Sequence, residues 1–244
     1  MNNEKENLSK SLGKTLVKSD LTEITGNVLE TIIESEIIEN DLIKSIPIFS
    51  SIVGLGKTFK TISDFLFTQK LVSFLTQLSE IDSNQREKII SKIDSDKKYN
   101  QKVGNKLLYI IDNSQDYITS QNIGKLFASF IKGNLTYPEF CKASLILNRI
   151  DYHDLEKFLE ISDEAYGKNG TENFGLEEVD NFFIISGLCS AESSRAEIEK
   201  NQNNFYEEAY EIIGGETIIF RTLIGEKIYQ ILSKQTFTNR GYHK

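Results

Sequence analysis

Histidine and cysteine are almost missing from this chain: His153, His243, Cys141 and Cys189 are the whole set among 244 residues. Two cysteines make no disulfide framework at this length, so both are read as reduced, buried thiols. The four residues together are the right number for zinc, but Cys141 and His153 stand twelve apart and ligand spacing is absent. No metal and no cofactor is expected. Cys141 is the nearest nucleophile candidate to a histidine in sequence, and that alone assigns no catalytic pair. Arginine is scarce too, confined to Arg86, Arg149, Arg195, Arg221 and Arg240, while 36 acidic residues face 28 basic ones for a net charge of -8. An acidic surface with few guanidinium forks repels a phosphate backbone, so nucleic acid is not an expected partner. Long apolar runs are lacking as well. The first residues, MNNEKENLSK, are polar, so neither a secretory signal nor an anchor is read there, and the expected address is cytoplasmic.

What the chain does have is helical period. Leu21, Ile24, Val28, Leu29 and Ile32 fall on one face, and Leu71, Phe74, Leu75 and Leu78 continue the pattern. Asn84 with Glu87 three residues on predicts a helix start. Shorter helices follow, marked by Val103, Leu107, Ile110 and Ile111, then by Ile123, Leu126, Phe127, Phe130 and Ile131, with Gly133 and Asn134 as the stop. Thr136 to Glu139 predicts a capping box with a proline in the first turn, and Asp151 and Asp154 open a helix carrying Leu155, Phe158 and Leu159. Gly167, Lys168, Asn169 and Gly170 end the period and read as a domain boundary. Beyond it, Leu176, Val179, Phe182 and Phe183 make one more helix. Tyr210 to Ile213 and Thr217 to Leu223 flank Gly214 and Gly215 as two strands and a turn, and Ile224, Ile228, Ile231 and Leu232 close with a helix.

The fold class is therefore mostly α, a multi-helix bundle with a small α+β module at the C-terminal side. The expected divisions are a loose arm over 1–15, a helical domain over 16–166, the α+β module over 171–235 and a tail over 236–244.

One segment invites three functions, IPIFSSIVGLGKTFKTISDFLF from Ile46 to Phe67. Gly54, Leu55, Gly56, Lys57 and Thr58 suggest a nucleotide loop, with glycine amides cradling phosphate, the lysine reaching it and the hydroxyl holding magnesium; LLYIID, Leu107 to Asp112, mimics the accompanying acid-ended strand. Against that, Ser51 stands where the loop needs its first glycine, and the flanks read as helix. On a helical wheel Ile48, Ile52, Leu55, Phe59, Ile62 and Leu66 form one stripe, with Lys57, Lys60 and Asp64 opposite. As a single membrane span this would set Lys57 near the midplane at about 2.5–3.5 kcal/mol, and the uncharged run from Ser45 to Gly56 is too short to cross. Two readings of the stripe stand: one wall of the helical core, covered by the helices after Asn84, or a face kept for a partner or a membrane interface.

The ending IIFRTLIGEKIYQIL resembles the wing and last helix of bacterial winged-helix modules. It departs from DNA-binding members, because Ala191 to Glu216 holds seven glutamates against Arg195 and Lys200, a net of -5. The segments IPIFSSIVGLGKTF and GKLFASFIKGNLTYPEF are similar to those of an uncharacterised bacterial helical family, and the tail resembles that of abortive-infection proteins of phage-defence islands. The resemblance implies no catalytic residue. The expectation for function is a non-enzymatic scaffold working through a protein partner or self-association, with phage defence implied by the resemblance. The alternative is a membrane-disrupting effector that releases the 46–67 stripe; the third is a P-loop-like nucleotide binder using Gly56, Lys57 and Thr58.

Overall fold

The computed structural model describes residues 2–18, 21–22, 46–54, 62–96, 102–160, 181–193, 195–201, 209–213, 215 and 217–239. Among them the chain is mostly helical with a small antiparallel sheet component, and it divides into two compact units, Met1–Tyr152 and His153–Lys244. The glycines read as a boundary, Gly167 and Gly170, lie outside the described residues.

Among the described residues of the first unit the regular elements are all helices. Its elements are α1 (Asn2–Lys18), α2 (Pro47–Gly54), α3 (Ile62–Thr76), α4 (Ser83–Ser95), α5 (Val103–Asp112), α6 (Tyr117–Ile131) and α7 (Tyr137–Leu147). Helix α1 covers the residues read as a loose arm, and that expectation is corrected. Its composition is polar on average, yet Ser9, Leu12, Thr15 and Leu16 are all buried and recur at helical steps, so one face is core while the rest is wet. Helix α1 packs against α2, α4 and α5, and α3 packs most extensively on α6.

The contact of α1 with α5 is unusually close. A Cβ placed on Gly104 would stand 2.6 Å from the Ser9 carbonyl oxygen and 3.2 Å from the Gly13 nitrogen, so the backbones meet with no side chain between them. Around α6 the core is aromatic. Phe127 sits at the centre, with ring centroids 5.6 Å from Phe74, 5.6 Å from Phe130 and 5.1 Å from Phe140, and Tyr137 lies 5.7 Å from Phe130. Such tilted pairs add about 0.5–1.5 kcal/mol each beyond the area they bury.

Helix ends follow the local chemistry. Thr136 and Glu139 form the expected capping box. After α6, the Gly133 amide donates to the Phe130 carbonyl and the Asn134 amide to the Ser129 carbonyl, the paired bonds of a Schellman stop. Helix α4 begins slightly earlier than Asn84 implied. The Asp82 carboxylate caps it, accepting from the Asn84 amide at 2.8 Å and the Gln85 amide at 3.3 Å.

The second unit holds α8 (Tyr152–Glu160, entering from the last residue of the first unit), α9 (Asn181–Ser186), β1 (Cys189–Ser193), β2 (Glu197–Asn201), β3 (Ala209–Ile213), β4 (Thr217–Arg221) and α10 (Leu223–Asn239). Here the strand expectation needs correction. β3 and β4 do not pair with each other around Gly214 and Gly215; β4 pairs with β1 and β3 with β2. Both ladders share one register: Cys189 faces Arg221, Ser193 faces Thr217, Glu197 faces Ile213 and Asn201 faces Ala209. Each step along one side is matched by an equal step back along the other, so the two ladders keep one register, as in an antiparallel ribbon. Gly215, at φ +79°, stands between β3 and β4 but not in a turn that pairs them. The partner strands escaped notice because CSAES and EIEKN are poor in β-branched and aromatic residues.

Gly104→Ala is expected to lower the unfolding free energy by about 1–3 kcal/mol through overpacking. Gly13→Ala, where an added Cβ meets nothing within 4 Å, should raise it by up to about 1 kcal/mol through helix propensity. Urea titrations followed by circular dichroism check both signs; equal effects would refute the close backbone contact.

Candidate functional site

The stripe from Ile46 to Phe67 divides when placed in the structure. Ile48 and Ile52 are buried on α2, together with Phe49. Among the described elements α2 packs chiefly on α1 rather than on the helices after Asn84. The Thr15 hydroxyl accepts from the Ile48 amide at 3.1 Å, supplying from another helix the partner that a first-turn amide lacks in its own. The hydroxyls of Ser11 and Ser51 lie 2.6 Å apart beside it. Leu66 departs from the stripe: it is exposed on α3, whose buried face runs through Thr68, Leu71, Val72 and Leu75. Leu55, Gly56, Lys57, Thr58 and Phe59 lie outside the described residues, as does the side chain of Ile62. Pro47 to Gly54 are helix α2, and LLYIID is in helix α5, so neither is a strand.

Two further surfaces come from residues that sequence patterns did not single out. The first draws on exposed residues of α5 and α7, which one hydrogen bond links. The Asn148 side-chain amide donates to the Ile110 carbonyl at 3.2 Å, fixing one helix end against the other. Tyr109 on α5 is 62% exposed and Leu145 on α7 is 50% exposed. The Lys106 ammonium sits 5.6 Å from the Tyr109 ring centroid. Lys142 on α7 and Arg149 just after it are exposed cations, and the Lys102 ammonium donates to the Asp94 carbonyl of α4 at 3.2 Å. The carboxylates of the two helices are Glu139, tied into the capping box, and Asp112, the last residue of α5. Cys141 is half-buried on α7. Burial pushes its thiol above the ordinary value, partly opposed by the charge of Lys106 and a hydrogen bond with Tyr137. A thiol held protonated is a poor nucleophile at neutral pH.

The second surface is the ribbon, and its base is firmly built. The Thr222 amide donates to the Leu188 carbonyl at 2.9 Å, and its hydroxyl donates to the Gly187 carbonyl at 2.8 Å and accepts from the Gly225 amide at 3.0 Å. One residue thereby caps α10 and ties it to the strand that opens the ribbon. The Arg221 side chain, 4% exposed, lies with its guanidinium carbon 3.5 Å from the Tyr229 ring centroid and 5.8 Å from that of Phe158, and pairs with Glu226 at 3.2 Å. Phe158 also meets Phe183 edge-on at 5.7 Å. Away from this base the residues of the ribbon whose burial is described on its first two strands are open to water. Ala191, Glu192, Ser193, Arg195, Ala196 and Glu197 are exposed, and Ile198 is 72% exposed.

Among the described residues no group of three His, Cys, Asp or Glu side chains is arranged to hold a metal. No described helix is long and apolar enough to cross a membrane. Comparison with protein-family models, with curated proteins and with solved structures finds no match.

Thr222→Val should destabilise the second unit by about 1–2 kcal/mol, with Thr222→Ser retaining most of the loss-free behaviour; amide exchange at Cys189 and Ser190 reports whether the ribbon base opens. Alkylation of Cys141 against pH should show a midpoint above that of a free thiol, moving higher in Lys106→Gln as the opposing charge is removed. A lower midpoint in that variant would contradict the assigned role of Lys106.

Proposed function

We propose that this chain is a non-enzymatic helical scaffold that acts through protein contacts, with the ribbon of the second unit as its docking element. One observation carries this: an exposed two-stranded ribbon rises from a base fixed by Thr222 and Arg221. An isolated pair of strands is marginally stable in water, so such a ribbon is suited to receive a further surface. The seven glutamates between Ala191 and Glu216 select against nucleic acid and for a cationic protein face. On this proposal the ribbon and α10 take the places of wing and closing helix in a winged-helix-like module used for protein contact. A cytoplasmic location and a role in phage defence belong to the same proposal, supported by the sequence resemblance.

The membrane-disrupting alternative requires Ile48 and Ile52 to leave α1, and the nucleotide-binding alternative requires a loop that follows helix α2 rather than a strand. The scaffold reading needs neither.

A photo-crosslinking side chain in place of Ile198 is expected to give a discrete protein adduct in cells, while the same probe in place of exposed Glu87 on α4 gives none. Equal labelling at both positions would sink the docking role. In the defence setting, Glu197→Lys with Glu199→Lys should lose protection in a plaque assay while the chain still melts cooperatively; full protection by that variant would detach the ribbon from the process.

A further inference from the structure

We draw no further inference here: the strongest candidate, the exposed apolar side chains of Ile185 on α9 and Leu223 at the start of α10, which flank in sequence the hydrogen bond from Thr222 to the Gly187 carbonyl, carries nothing because no contact among the described residues shows what covers them.

Discussion

The first unit depends on how closely α1 approaches α5. At Gly104 the α5 backbone comes so near the Ser9 carbonyl that even a methyl group has no room. That approach holds the apolar side of α1 in the core, where Leu12 and Leu16 are buried. The same helix then covers α2, through the Thr15 hydroxyl on the Ile48 amide and the Ser11 and Ser51 pair. A helix with mostly polar composition is thereby an inner element, and the apolar segment after Ile46 has a covering that comes from far earlier in the chain. Burial on this scale, about 25 cal/mol per Å² of apolar surface, is what offsets the entropy of ordering a helix that has weak propensity of its own.

The second unit rests on a smaller but denser arrangement. Thr222 satisfies backbone groups from α10 and from the stretch entering β1, and Arg221 next to it stacks on Tyr229 and pairs with Glu226. A planar guanidinium can do both at once, whereas a lysine ammonium presents no flat face to the ring. Rigidity at the base matters for what lies beyond it. An exposed ribbon that pivoted freely would lose entropy on docking that a fixed one has already given up.

Much of the helical architecture was legible in the sequence because its signals are local. The capping box at Thr136 and Glu139 needs only four consecutive residues, and the stop at Gly133 and Asn134 needs only the turn before it. The apolar faces of α5, α6 and α8 repeat within each helix. The misread parts depend on distant partners. EIEKN has little strand propensity and is a strand because AYEII lies across from it. Arg86, one of only five arginines, gives no sign in its neighbourhood of being buried, and it is among the largest fully buried side chains. The link between α5 and the end of α7 escaped for the same reason: Asn148 and Ile110 sit in separate helical patterns, and only the fold brings the Asn148 amide to the Ile110 carbonyl.

The sequence by itself determined the helical class, most helix limits and the acidic character of the segment from Ala191 to Glu216, since periodicity, caps and charge are written in neighbouring residues. Tertiary structure alone decided that one face of the opening helix is core, that Ile48 and Ile52 are covered while Leu66 is not, and that β3 and β4 pair with other strands instead of with each other. The physical reason is that burial and strand pairing are properties of two surfaces meeting. One segment's pattern states which face is apolar, and only the fold supplies what comes to lie against it.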